Sequence, residues 1–295
     1  MLALPNTPRV GMLIMVIAML IAPGMDVFSK LLTQTLSPGL VTFGRFAAQT
    51  ILMLPLVLLA GQLVRPERGH LLAGFFLAIA LLTINAALQV MPILNAIAIF
   101  FVEPLILTVL SAIFLGEKIG WRRVVAVLIG LLGAMIVIRP NWEAFGPSAI
   151  LPLGTAISFA CYMLVTKSMA AGRNKLALQF WTGVVAGAIL AVAVVIGGNV
   201  QIGFLAPSIP NKYEITLFFC TGVLAVISHQ MIVHALARVD ASAAAPMQYI
   251  EVVSATLFGW WIFGDFADAL TWTGAAIIIC SGLYVFHRER QAGAG

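Results

Sequence analysis

The 295 residues are 62% hydrophobic and 9% charged, with a mean hydropathy of +1.07, a formal net charge of +5 and a pI near 9.4. An average soluble domain is roughly 25% charged, so this composition excludes a soluble fold and points to an integral membrane protein. The basic residues are scattered between apolar segments rather than clustered, which argues against nucleic acid and for the lipid bilayer as partner.

A bilayer core takes about 20 apolar residues per helix. Splitting the chain at charged and Gly/Pro-rich punctuation predicts ten spans: 10–34, 39–61, 70–90, 93–115, 121–139, 147–170, 176–197, 214–236, 241–264 and 270–287. The runs are continuously apolar, whereas a barrel strand alternates over about 10 residues, so the fold class is all-α. The first span is too long for the apolar region of a signal peptide and has no small-residue cleavage site after it, so it is read as a retained helix. Within it, "APG" at 22–24 marks a break. Asp26 follows, with Lys30 one turn on along the same face. Arg45 stands at similar depth near the start of the second span. These charges form either a structural ion pair, with Arg45 snorkelling to the surface, or an outer gate that closes when Asp26 pairs with Arg45 or Lys30.

The fourth span contains "IAIFFVEPLILTVL", in which Glu103 is eleventh of 23 residues and therefore near the midplane. A charge there costs at least about 2.5 to 3.5 kcal/mol, which favours the neutral acid. Pro104 has no N–H, so the carbonyl of Phe100 loses its helical bond and the helix kinks. Such backbone is tolerated at membrane depth where it lines a cavity or is buried in protein. In the ninth span Pro246 does the same to Ser242, and Glu251 is again eleventh, of 24. Each glutamate either donates to a freed carbonyl and glues helices or handles substrate or protons. Phe101 and Tyr249 either pack or stack on a flat heterocycle whose edges Gln248 and Asn95 would hydrogen-bond.

Elsewhere the polar residues carry less. His229 and His234 are five apart, about 140° round a helix, so they do not form a metal pair; His229 either lines a cavity or packs between helices. Gly183 and Gly187 make a GxxxG that lets helices approach closely. Cys161, Cys220 and Cys280 lie singly in apolar runs, without disulfide or zinc spacing. No Lys follows a Gly, so a Walker A loop is absent, and neither a metal nor a cofactor is expected.

With the N-terminus taken as cytoplasmic, Arg9, Arg65, Arg68, Lys118, Arg122, Arg123, Lys167, Arg173, Lys175, Arg238, Arg288 and Arg290 fall inside, and Arg139 and Lys212 outside. This asymmetry predicts that both termini are cytoplasmic. "FFVEPLILTVLSAIFLGEK" aligns with "MQYIEVVSATLFGWWIFGDF", placing Glu103 on Glu251, Gly116 on Gly264 and Glu117 on Asp265. Farther back, Ser29 and Lys30 fall on Thr166 and Lys167, and Phe43 on Phe180. Each half, 10–140 and 147–290, holds five spans. Five is odd, so the second copy crosses upside down, an inverted repeat of the kind found in secondary transporters.

A helix with Glu-Pro, then "FLGEKIGW" and "GLLGAMIVIRP", with an echo in "APMQYIEVVSATLFGWWIFGD", resembles the ten-helix EamA-type permeases of the drug/metabolite transporter superfamily. The resemblance covers nearly the whole chain. It implies carriage of a small metabolite across a bacterial inner membrane without ATP hydrolysis. Within the superfamily, "APGMDVFSKLL" and "VTFGRFAAQT" look most like riboflavin transporters, and somewhat less like S-adenosylmethionine uptake carriers. Riboflavin uptake is therefore the leading expectation, with S-adenosylmethionine or an amino-acid-like metabolite, taken up or exported, as the alternative. A membrane-embedded enzyme is remote, because the intramembrane carboxylates lack a matched nucleophile or histidine pair. The sequence leaves open whether two copies pair as a homodimer.

Overall fold

The computed structural model describes residues 7–90, 93–118, 120–138, 148, 150–170, 172, 174–263 and 269–292; some side chains within these ranges, Asn95 among them, lie outside the description. Among the described residues there are thirteen α-helices and no strand: α1 (Pro8–Ile21), α2 (Pro23–Thr33), α3 (Pro38–Leu59), α4 (Arg68–Val90), α5 (Ile93–Phe100), α6 (Glu103–Leu115), α7 (Trp121–Ile138), α8 (Ile150–Ala170), α9 (Lys175–Val200), α10 (Lys212–Leu236), α11 (Ala241–Gln248), α12 (Ile250–Phe263) and α13 (Ala269–Ala292). They coincide with the ten predicted stretches, three of which are split in two. Six stretches, Pro8–Thr33, α3, α4, α8, α9 and α10, are long and apolar enough to cross a bilayer.

The splits follow from the backbone. Pro23 stands at the start of α2 after a turn at Ala22. Pro104 sits in the first turn of α6 after a turn at 101–102. In the ninth stretch the sequence places the disturbance one turn before Pro246, at Ser242, but α11 continues through the proline and the turn comes at Tyr249. Large apolar side chains point outward along the long helices, for instance Val192, Val195 and Ile196 on α9, as a lipid-facing surface requires.

Packing within the bundle depends on small residues. A Cβ on Gly183 of α9 would stand 2.8 Å from Thr50 Oγ1 on α3, and one on Gly222 of α10 would stand 2.7 Å from Ala48 Cβ on α3. The α3–α9 and α3–α10 backbones can thus approach closely, which lets dispersion replace the hydrophobic drive that lipid does not supply. Around these pairs α4 packs on α8 and α9, α10 on α1 and α2, α6 on α8 and α11, and α7 on α13.

Polar side chains tie helix ends across the chain. The capping box of α10 pairs Asn211 with Glu214, whose Oε1 also accepts from the Thr35 hydroxyl at 2.6 Å. At the end expected to be cytoplasmic, Gly116 takes φ 66° and closes α6, which carries the chain to Glu117. That carboxylate accepts from Ala241 N–H (2.9 Å), Ser242 N–H (3.0 Å) and Ser242 Oγ (2.7 Å), so it caps α11 from another part of the sequence. Lys167 Nζ donates to Leu236 O and Val239 O, closing the turn between α10 and α11.

Partial burial would raise the Glu117 pKa, but the bonds from Ser242 and Ala241 and the nearby Lys167 charge hold it below the ordinary carboxylate value. A depressed folded value means that its stabilisation is present above the unfolded pKa and is lost as pH falls through the folded one. Glu117→Ala should therefore lower the unfolding free energy in detergent at pH 7 by about 0.5 to 2 kcal/mol for a lost cap, and with it the unfolding midpoint. The difference from wild type should shrink below roughly pH 4; equal midpoints at pH 7 would show that the cap does not stabilise the fold.

Candidate functional site

Each split leaves a half-helix whose first turn carries a carboxyl: Asp26 on α2, Glu103 on α6 and Glu251 on α12. The first turn of a helix holds unpaired N–H groups and the positive end of the dipole. A carboxyl is least disfavoured there.

Two of the three face one cavity. Asp26 and Glu251 line it together with Arg45 from α3, His229 from α10, Phe100 from α5 and Phe159 from α8. The volume open to the centre of a water molecule is about 80 Å3. That holds several waters but falls below the roughly 300–1,000 Å3 of a metabolite pocket, so a metabolite can enter only if the surrounding helices part. Glu251 makes no side-chain hydrogen bond among the described residues, and it feels the charges of Asp26, Glu103 and Arg45.

Arg45 is 3% exposed, so its guanidinium does not snorkel to the surface. Its Nη2 lies 3.2 Å from His229 Nε2 and 3.4 Å from Met25 Sδ. The other ring nitrogen of His229 lies 3.2 Å from the Tyr162 hydroxyl. The expected ion pair of Asp26 with Arg45 or Lys30 is not formed: Arg45 is engaged by neutral groups, and Asp26 is coupled to it only through space. Lys30 lies in the last turn of α2 and does not line the cavity.

The remaining predicted residues lie behind the wall. Glu103 is fully buried, and neither of its oxygens has a hydrogen-bond partner among the described residues. It therefore does not donate to the carbonyl freed by Pro104, and helix glue does not account for it. The amide of Gln248 lies beside it, also with Nε2 unpartnered. Phe101 and Tyr249 are 1% and 0% exposed, with rings 5.7 Å apart and the Tyr249 hydroxyl donating to Phe101 O. Tyr249 also lies against Gly130 of α7, where a Cβ would come within 2.4 Å of its ring. Stacking on a heterocycle has no surface to use there. The cavity aromatics are instead Phe100 and Phe159, edge-on at 5.7 Å. Pro104 and Pro246 are buried, and Asn95 lies on α5 with its side chain outside the description.

The sequence model of the EamA-like transporter family matches residues 9–139 and 146–286. An S-adenosylmethionine uptake transporter of Rickettsia bellii is 29% identical over 270 residues, covering 90% of each chain. A riboflavin transporter of Vibrio cholerae is 28% identical over 252 residues, covering 83% of this chain and 82% of its own. A solved crystal structure superimposes with a TM-score of 0.80 at 18% identity, over 95% of this chain and 98% of its own, a likeness of fold.

The cavity wall makes a direct prediction. With Cys161, Cys220 and Cys280 replaced by Ser, a cysteine at Phe100 should react with a small charged methanethiosulfonate, whereas one at Phe101 should react far more slowly. Labelling at Phe101 as fast as at Phe100 would move the wall.

Proposed function

The chain belongs to the EamA-like transporter family, and on that premise we propose that it takes up an adenosyl amino acid of the S-adenosylmethionine type across a bacterial inner membrane. The observation that carries this reading is the charge set of one cavity: the carboxyls of Asp26 and Glu251 with the guanidinium of Arg45. Charges taken out of water without partners are costly, so a cargo that brings the complementary set is selected. S-adenosylmethionine carries one carboxylate and two cations, an ammonium and a sulfonium. Its adenine can meet Phe100 and Phe159, and a cation over such a ring gains about 0.5 to 2 kcal/mol. The relatives named S-adenosylmethionine uptake transporters support the same reading. Riboflavin, which the sequence pattern favours, has no charge to offer the three groups.

Transport runs by exchange of two five-helix halves, 10–140 and 147–290, related as an inverted repeat. Packing supports this division. Under the shift that carries each span to the one five later, α4 on α8 is answered by α10 on α1 and α2, and α4 on α9 by α10 on α3. Cavity positions support it too. The repeat offsets pair Ala22 with Phe159, Leu81 with His229 and Ile84 with Ile232, and all six line the cavity. Glu103 and Glu251 break that symmetry, one sealed and one open. If the halves exchange conformations, Glu103 reaches the cavity and Glu251 is sealed, so each carboxyl serves one facing of the site. Both termini lie in the cytoplasm in this reading.

Reconstituted into liposomes, the protein should take up labelled S-adenosylmethionine saturably, with excess riboflavin leaving uptake unchanged. Asp26→Asn and Glu251→Gln should each lower kcat/KM at least tenfold, about 1.4 kcal/mol. Saturable riboflavin uptake without S-adenosylmethionine uptake would replace this cargo with the flavin.

A further inference from the structure

We propose that Tyr162 and His229 are positioning residues that hold Arg45 for the carboxylate of the cargo. A guanidinium has donors only and stays charged, so the His229 Nε2 that faces Arg45 at 3.2 Å accepts and carries no hydrogen. The hydrogen of the neutral ring is then on Nδ1, which donates to the Tyr162 oxygen at 3.2 Å. That leaves the Tyr162 hydroxyl hydrogen without an acceptor among the described residues, where Thr166 Oγ1, one turn along α8, likewise makes no hydrogen bond. The row Tyr162, His229, Arg45 thus has one consistent set of donors and acceptors.

The row is sealed: Tyr162 is 2% exposed, and His229 and Arg45 are each 3% exposed. Three helices supply it, α8, α10 and α3, so the aim of Arg45 depends on their packing rather than on local chain geometry. A buried arginine serving only structure is normally neutralised by a carboxylate. Here the groups that touch the guanidinium are an imidazole and the Met25 thioether, both neutral, and Nε has no partner among the described residues. Asp26 and Glu251 influence Arg45 through space without bonding to it. Its orientation is therefore fixed while no carboxylate bonds it, and it borders the cavity. An incoming carboxylate is the group that satisfies it, in the charge-assisted geometry that arginine favours. Removing the Tyr162 hydroxyl frees the imidazole to rotate or change tautomer, after which Nε2 no longer accepts from Arg45.

This assignment rests on the transport reading above, and its test separates the two. In liposomes, Tyr162→Phe should raise KM for S-adenosylmethionine about tenfold with kcat within twofold of wild type. For decarboxylated S-adenosylmethionine, which lacks the carboxylate, KM should be the same in variant and wild type. His229→Gln, whose amide oxygen still accepts from Arg45, should retain more affinity for S-adenosylmethionine than His229→Leu. Equal effects on both cargos, or no effect on either, would overturn the positioning role while leaving S-adenosylmethionine as cargo. If wild type takes up neither compound, the cargo assignment fails, and 15N-histidine NMR decides the positioning role alone. His229, assigned by its loss in His229→Gln, should be neutral with hydrogen on Nδ1 in wild type, and Tyr162→Phe should change that state. Hydrogen on Nε2 in wild type, or no change in the variant, would overturn the row.

Discussion

A helix interrupted inside a bilayer must account for the N–H groups that the interruption frees, and in this protein a carboxyl stands at each such point. Asp26, Glu103 and Glu251 occupy the first turns of α2, α6 and α12. The positive end of a half-helix offsets up to about 2 kcal/mol of a carboxylate's cost in partly buried geometry, against at least about 2.5 to 3.5 kcal/mol for a charge at the midplane. The difference has to come from elsewhere. For Asp26 and Glu251 the cavity supplies it, through Arg45 and through whatever occupies the space. For Glu103 the nearby group is the Gln248 amide, which lies beside the carboxyl without completing a hydrogen bond to it.

The rest of the bundle holds these three points in register. α3 carries Arg45 to the cavity, and the small residues at its contacts with α9 and α10 keep the helices close enough for Arg45 to meet His229. At the far end Glu117 reaches from the turn after α6 to cap α11, the half-helix that precedes Glu251. The capped helix and the capping carboxylate belong to different halves of the chain. Any movement that parts α11 from the turn after α6 must therefore release three hydrogen bonds to Glu117.

Much of the architecture was legible in the sequence because a bilayer leaves few alternatives. Apolar runs of the required length, separated by charges, Gly and Pro, located all ten helical stretches, and the repeat singled out Glu251 once Glu103 was noticed. Side-chain direction was another matter. In a soluble helix the polar face marks the outside, but here lipid is as apolar as the interior, and nothing in "IAIFFVEP" says that Phe100 rather than Phe101 meets the cavity. The same ambiguity hid Tyr162. One signal was available: the offset that places Thr166 on Ser29 places Tyr162 on Met25, so the two neutral supports of the Arg45–His229 contact occupy matching positions in the two halves. Arg45 was expected to meet Asp26 or Lys30 but contacts His229 and Met25 instead, because chain spacing favoured the nearby charges and said nothing of α10.

On the proposed reading of two inverted halves, the unequal fates of Glu103 and Glu251 are what a carrier requires. Two copies of one sequence pattern inserted in opposite directions have the same conformational choices, and a structure in which both made the same choice would be open to both sides or to neither. Here α12 presents its carboxyl to the cavity while α6 turns its own into the protein, against Gln248. The unmet hydrogen-bonding capacity of Glu103 and Gln248 destabilises this arrangement relative to one in which water or cargo reaches them. Such a cost works against holding one conformation too firmly, which in a carrier would bind cargo and not release it.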